Sequence, residues 1–258
     1  MSRVAIRELT AGVIRFALSV GFVVILWQLV VSLTGAPHFI LPGPVRVARV
    51  FWSSRELILE NALITWTQIV AGLLLGALFG ISTAINLAMS PVARVLIRPF
   101  IVFAQAVPVF ALAPVLTLWL GYGMASKIVV VVLMIYFPVA SAFFDGLMRT
   151  PQGALDLAQT MNARPLQTMF RLRVPHALPA LASGLRLAAV AAPLGAVIGE
   201  WVGASQGLGH LMLLANGRAQ TDLMFAALLA LAAFTVVLYF CVDRFGVWLA
   251  ERYGGPPG

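Results

Sequence analysis

The chain has 258 residues, of which 61% are hydrophobic and only 10% are charged, and its mean hydropathy is +0.99. A soluble domain carries about a quarter charged residues, so this composition excludes a water-facing globular protein and predicts an integral membrane protein. The net charge of +8 does not indicate nucleic-acid binding, because the basic residues form no stripe with interleaved aromatic side chains.

Six hydrophobic segments approach the length of about 20 residues that a helix needs to cross the hydrocarbon core. Pro108 and Pro114 interrupt the third segment, which we expect to kink against neighbouring helices. The first segment is longer than the hydrophobic region of a signal peptide, so we expect a retained helix. The sequence therefore predicts an all-α integral membrane protein with about six transmembrane helices in a single domain, 1–258. The six segments are Phe16–Leu33, Leu63–Ala88, Phe100–Leu120, Ile128–Leu147, Leu178–Val202 and Leu223–Val242.

Apolar residues recur at helical spacing in segment 44–61, between the first and second spans. Pro44 suits a first helical turn, and charged residues separate the apolar positions. We expect a short amphipathic helix lying on the outer membrane surface. The alternative, a docking surface for a partner protein, stays open.

The basic residues indicate an orientation. With the N-terminus inside, eleven of them lie in inner segments and five in outer segments, with Arg186 inside the fifth span. Membrane proteins concentrate Arg and Lys in cytoplasmic loops. We therefore expect both termini, and the loop of about residues 149–177, to be cytoplasmic.

Small residues recur every four positions in two of the spans. Gly72, Gly76 and Gly80 lie in the second span, and Gly184 begins a similar series in the fifth. Such residues let helix backbones approach closely in lipid. Their spacing is compatible with packing inside one subunit and with a dimer or pathway interface.

The loop between the fourth and fifth spans is polar and predicts a helix, a turn and a second helix. Residues Gln152–Met161 can form the first short helix. Asn162 is a good stop, because Asn tolerates the left-handed conformation of a helix C-terminus. Pro165 can then open the second helix, since its fixed φ suits a first helical turn.

This loop resembles the coupling loop of the permease subunits of bacterial ABC importers. That family's pattern is Glu-Ala-Ala, three residues, Gly, nine residues, then Ile-x-Leu-Pro. Here Asp156 stands for Glu, Asn162 for Gly, and Leu172, Val174 and Pro175 complete the pattern, while Leu157 departs from it. The resemblance implies that the residues coupled to the ATPase are Asp156, Ala158, Asn162, Ala163, Arg164, Pro165 and Pro175.

Further motifs indicate a branch of that family. Pro108-x-x-Ala111-x-x-Pro114 resembles the third span of sulfonate, taurine and nitrate permeases. Within this branch, the stretches from Gly199 to Met212 and from Asn216 to Ala227 look nearest to permeases for hydroxymethylpyrimidine precursors of thiamine. A sulfonate, taurine or nitrate importer is the first alternative, and a stand-alone secondary transporter is a more remote one.

The resemblance also implies partners. We expect a homodimer in the bacterial inner membrane, with two cytosolic ATP-binding subunits and an extracytoplasmic solute-binding protein. The sequence has no Gly-x-x-x-x-Gly-Lys-Ser/Thr loop, so we expect no cofactor in this chain and expect ATP and Mg²⁺ on the partner ATPase. His38, His176 and His210 lack metal-ligand spacing, and no catalytic constellation indicates an enzyme.

Five residues are candidates for the solute pathway. Glu200, near the outer end of the fifth span, indicates a function by default, because an acid at that depth is costly. The alternative is a carboxylate exposed to water at the membrane interface, beside Trp201 as an aromatic anchor. The full candidate set is Gln105, Pro108, Tyr136, Glu200 and Asn216.

Overall fold

The computed structural model describes residues 3–253, and within them the side chains of residues 3–17, 98, 100, 102 and 104–106 lie outside the description. The described backbone is helical, without strands, so the predicted all-α class is confirmed. The helices are α1 (Arg3–Thr34), α2 (Pro44–Ser53), α3 (Arg55–Met89), α4 (Pro91–Ala106), α5 (Val109–Leu120), α6 (Met124–Met148), α7 (Gln152–Thr160), α8 (Pro165–Thr168), α9 (Val174–Trp201), α10 (Leu208–Gly217) and α11 (Thr221–Tyr253), with a π-turn over Met169–Arg173.

Four helices in the described part of the chain are long and apolar enough to span a membrane. They are Arg55–Met89, Met124–Met148, the continuous helix Pro165–Trp201 and Thr221–Tyr253. Leu18–Thr34, the part of α1 whose side chains are described, and Val109–Leu120 are shorter apolar stretches. The second, fourth, fifth and sixth predicted spans therefore lie within long apolar helices, the first lies within α1, and the third is divided between α4 and α5.

The third predicted span is divided rather than kinked. Helix α4 ends at Ala106, Val107 and Pro108 are extended, and α5 begins at Val109. Proline lacks an N–H and drives the preceding residue out of the helical region, which explains the break. Pro114, by contrast, lies inside α5 without ending it.

The outer amphipathic segment is shorter than predicted. Its separate helix, α2, ends at Ser53, and residues 55–61 are the first two turns of α3. Val47 of α2 is completely buried, and Arg46 Nε lies 2.9 Å from Asp222 Oδ2 at the start of α11. The ion pair with Asp222 therefore joins α2 to the start of α11. The docking role of segment 44–61 stays a prediction.

The chain divides into two compact units. One comprises Met1–Leu59 with Leu211–Leu229, and the other comprises Glu60–His210 with Ala230–Gly258. The single domain over 1–258 stays a prediction. The second unit contains most of the residues that the resemblance singles out.

Helix α6 is the packing centre of the second unit, and both series of small residues lie against it. A Cβ added to Gly76 of α3 would lie 2.6 Å from Cγ1 of Ile135, and one added to Gly195 of α9 would lie 3.1 Å from Cα of Val131. Ile135 and Val131 are completely buried. Of the two interpretations of the small residues, close packing within the subunit is therefore what the structure shows.

Candidate functional site

The turn around Asn162 has the geometry of a helix C-terminus closed by a left-handed residue. Asn162 has φ 56°, as predicted. Its N–H donates to the carbonyl of Gln159 at 3.0 Å, and the N–H of Ala163 donates to the carbonyl of Ala158 at 3.0 Å. This pair of bonds is the Schellman motif, which satisfies carbonyls that the end of α7 would leave without donors. The prediction of the backbone conformation at Asn162 is confirmed.

The second short helix begins where the sequence predicts. Pro165 is its first residue, and the backbone N–H of Arg164 donates to Oε1 of Gln167 at 3.0 Å. Asp156 lies on exposed α7, where Nε2 of Gln152 donates to its Oδ1 at 3.0 Å. Pro175 lies in the first turn of α9. The structure thus brings most of the predicted coupling residues into one exposed helix-turn-helix, which we call the Asp156 segment (residues 152–173).

The Asp156 segment exposes large apolar side chains that sequence reasoning did not select. Leu157 and Met161 are 61% and 74% exposed, and Leu166 and Phe170 are 57% and 53% exposed. Each pair is spaced by four residues, so its members lie on one helix face. That spacing was visible in the sequence, although Leu157 stood out there only as a departure from the family pattern. Exposed apolar faces of this kind on a polar loop are typical of protein–protein interfaces.

A cavity lies beside the break between α4 and α5. Its volume is about 810 Å³, and it is bounded by the break, the middle of α6 and one residue of α9. We call it the helix-break cavity. Its lining residues are Ile97, Ile101, Phe103, Val107, Pro108, Val109, Phe110, Leu112, Leu133, Met134, Tyr136, Phe137, Pro138 and Ile198.

The structure brings together two of the five pathway candidates. Pro108 and Tyr136 both line the helix-break cavity, whereas Glu200 and Asn216 do not. Asn216 is an exposed residue of α10 whose carbonyl accepts a hydrogen bond from the N–H of Ala219 at 3.1 Å. The side chain of Gln105 lies outside the described residues. The pathway role of all five stays a prediction.

Glu200 is the acceptor at the centre of a buried polar cluster. Its side chain has no exposed surface, and its carboxylate accepts hydrogen bonds from Oγ1 of Thr65 at 2.7 Å and from the N–H of Gly209 at 2.6 Å. Thr65 in turn accepts from the N–H of Leu208 at 2.8 Å, and Asn61 Oδ1 accepts from the N–H of Gly207 at 2.8 Å. The interpretation of Glu200 as a water-exposed carboxylate at the interface is therefore wrong. We call these six residues the Glu200 cluster.

Gly207 is required by this cluster. Its φ is 115°, and a Cβ at this position would overlap the carboxylate of Glu200. Only glycine combines that backbone conformation with so close an approach. The Glu200 cluster therefore holds the loop that follows α9 against the N-terminal part of α3.

Lys127 fixes the same loop from α6. Its side chain is only 2% exposed, and Nζ donates to the carbonyls of Tyr122 at 2.6 Å and Gly203 at 3.0 Å. Sequence reasoning counted it only among the outer basic residues. Gly203 is 76 residues away in the chain, so only the folded structure brings its carbonyl to Lys127.

Comparison with known proteins decides the family. A family model described as the binding-protein-dependent transport system inner membrane component matches residues 72–255. The chain belongs to this family. It is therefore a multi-pass membrane protein and the permease subunit of an ABC importer, and the alternative of a stand-alone secondary transporter is wrong.

Individual relatives agree with that assignment. A probable ABC transporter permease protein of Haemophilus influenzae is 51% identical over 236 residues, which are 92% of this chain and 95% of the relative. The formylaminopyrimidine transport permease protein ThiX of Halalkalibacterium halodurans is 35% identical over 187 residues, 72% of this chain and 74% of the relative. Permeases named for riboflavin, aliphatic sulfonates and taurine are also similar, at 28–34% identity. The predicted branch of the family is confirmed.

A solved structure agrees at the level of the fold. An inward-facing MetNI methionine ABC transporter chain superposes with a TM-score of 0.60 over 78% of this chain and 98% of that chain. The two sequences are 19% identical, so the likeness concerns the fold alone.

Proposed function

We propose that this importer takes up a hydroxymethyl- or aminomethyl-pyrimidine precursor of thiamine. The observation that carries the proposal is the 35% identity to a permease named for formylaminopyrimidine. The sequence motifs from Gly199 to Met212 and from Asn216 to Ala227 favour the same solute class.

Aliphatic sulfonate or taurine import is the second candidate, because permeases named for those solutes are 28–32% identical to the chain. Nitrate import, the third member of the branch, is supported here only by the motif around Pro108. Glu200 is buried, so direct contact with its side chain does not distinguish these candidates. Its carboxylate has no exposed surface and is hydrogen-bonded to Thr65 and Gly209.

Uptake decides the solute. Cells that express the whole operon should accumulate labelled hydroxymethylpyrimidine and should not accumulate labelled taurine. A strain lacking only this chain is the control for endogenous uptake. Accumulation of taurine without the pyrimidine would refute the solute assignment and leave the importer function intact.

The assembly that we propose follows the family. Two copies of this chain bind two cytosolic ATP-binding subunits, which carry ATP and Mg²⁺, and receive solute from an extracytoplasmic binding protein. The membrane is the bacterial inner membrane, and both termini of the chain are cytoplasmic. The Asp156 segment supports this arrangement, since its two short helices present exposed apolar side chains on a turn that the Asn162 hydrogen bonds make rigid.

Charge reversal tests the role of the Asp156 segment. Asp156→Lys should reduce co-purification of the ATP-binding subunit at least about tenfold, because a reversed charge at the centre of an interface is unpaired there. Glu251→Lys, at an exposed acid of α11, is the matched control and should leave the yield unchanged. Full recovery of the ATP-binding subunit with Asp156→Lys would show that this segment does not couple the two proteins.

A further inference from the structure

The helix-break cavity has an apolar lining with aromatic rings. Phe103, Phe110, Tyr136 and Phe137 are four of its walls. Within the described part of the chain, none of its lining residues is charged, and Tyr136 alone carries a polar side-chain atom. A charged solute would therefore lose its hydration in this cavity without gaining a counter-charge from the wall, which is unfavourable. A flat uncharged ring would gain contact with aromatic faces.

The cavity reaches the middle of one of the helices long enough to span the membrane. Tyr136 is the central residue of α6, which runs from Met124 to Met148. Twelve residues separate it from either end, which corresponds to about 18 Å of helix on each side. Pro108 brings the non-helical backbone of the α4–α5 break to the same cavity. Irregular backbone at this depth is tolerated where it lines a cavity or is buried in protein.

The polar side-chain group that the described lining offers is an acceptor. The hydroxyl of Tyr136 donates to Oγ1 of Thr83 at 3.0 Å, which leaves lone pairs on its own oxygen. A solute that complements this oxygen offers an N–H or O–H donor at the edge of its ring.

We propose that the helix-break cavity is a transient binding site for a planar, uncharged heteroaromatic solute that carries exocyclic N–H or O–H donors. The rings of Phe110 and Phe137 contact the faces of the solute, and Tyr136 accepts from its edge. Aliphatic sulfonates and other small anions gain less from this wall, because its described lining residues are apolar apart from Tyr136. This inference rests on the proposed importer function and adds to it a site and a reason for its selectivity.

Protection of an introduced thiol from alkylation tests the site without measuring transport. Cys241 is the one cysteine of the chain, so Cys241→Ser provides a thiol-free background. In that background Leu133→Cys places a thiol in the cavity wall. Phe79→Cys, at a residue of α3 that is 54% exposed and does not line the cavity, is the matched control. The complex with its ATP-binding subunits is reconstituted in lipid discs and treated with a maleimide.

Hydroxymethylpyrimidine at three times its dissociation constant should slow alkylation of the Leu133→Cys thiol about fourfold, because the free fraction of sites falls to about a quarter. It should not slow alkylation of the Phe79→Cys thiol, and taurine should protect neither. Adding Tyr136→Phe, which keeps the ring and removes the hydroxyl together with its bond to Thr83, should raise the concentration needed for protection about tenfold. Tyr239→Phe is the control for that change.

Equal protection by taurine and the pyrimidine would overturn the inference, and so would absence of protection in a complex that imports the pyrimidine. In the latter case the proposed function stands and the cavity does not bind the solute. Protection by the pyrimidine in a complex that imports only taurine would support the chemistry of the cavity and refute the proposed solute. The two proposals therefore fail separately.

Discussion

Replacement of Glu200 separates a structural role of its carboxylate from a role in the solute pathway. The buried carboxylate accepts from Thr65 at 2.7 Å and from Gly209 at 2.6 Å, both short bonds to a charged group. In Glu200→Gln, the amide oxygen can still accept from Gly209 while the amide nitrogen donates to Thr65. The change therefore replaces two short bonds to the carboxylate by weaker bonds to an amide, and we expect a loss of about 1 kcal/mol in the free energy of unfolding.

Glu200→Ala has a larger expected effect. It leaves the buried N–H of Gly209 without its side-chain acceptor, which costs about 1–3 kcal/mol, and it creates a cavity where the carboxylate was. Loss of a desolvated charge offsets part of this cost. We expect a total of about 3 kcal/mol, or a fall of roughly 6–12 °C in the denaturation midpoint for a protein of this size.

The assay is thermal denaturation of the purified complex at a fixed scan rate, with uptake measured in parallel. Glu56→Ala is the matched control, because the side chain of Glu56 is 87% exposed. Equal midpoints for Glu200→Ala and Glu56→Ala would refute the structural reasoning. An unchanged midpoint combined with lost uptake in Glu200→Gln would instead assign Glu200 to the pathway.

Two further predictions concern the Asn162 turn and the ion pair between α9 and α11. Asn162→Gly should be nearly silent in uptake assays, whereas Asn162→Val should impair uptake, because a β-branched residue at φ 56° costs about 1–3 kcal/mol; equal uptake by both variants would contradict the turn described here. Arg186 of α9 and Asp243 of α11 form an ion pair at 2.9 Å, with side chains 34% and 27% exposed. Either single charge reversal should lower the amount of assembled complex, and the double reversal should restore about half of it or more, as measured by gel filtration. No recovery in the double variant would show that the pair does not join the two helices.

The parts of this molecule that sequence reasoning predicted well are those with local causes. The Asn162 turn is one, because its hydrogen bonds span residues 158–163 only and its backbone conformation follows from one residue type. Long apolar helices are another, since a bilayer leaves a hydrophobic segment few alternatives to helix. The family pattern around Asp156 added the role that local geometry cannot supply.

The candidate pathway shows where such reasoning ends. Glu200 was selected because an isolated acid in a span is costly, yet its partner Thr65 is 135 residues away in the chain. Nothing in the spacing of the sequence relates these two residues. The break at Pro108 has a similar explanation: proline predicts a disturbance, but only packing decides whether the helix bends or stops. Pro114 lies inside the short helix α5 and does not end it.

One continuous helix connects the Asp156 segment, the helix-break cavity and the Glu200 cluster. It runs from Pro165, in the Asp156 segment, to Trp201 over 37 residues, or about 55 Å. Near its outer end, Ile198 lines the helix-break cavity and Glu200 is bound to α3 through Thr65. In the assembly proposed above, a displacement of the Asp156 segment by the ATP-binding subunits would tilt a helix whose far end, near Trp201, is held by hydrogen bonds. Ile198 and Glu200 are two residues apart, or about 3 Å along the helix axis. The α9 residue that lines the cavity therefore lies close to the end of the helix that is held by hydrogen bonds. In the assembly proposed above, we expect the half of α9 nearer the Asp156 segment to move most, and the Arg186–Asp243 pair is one contact through which that motion would reach α11.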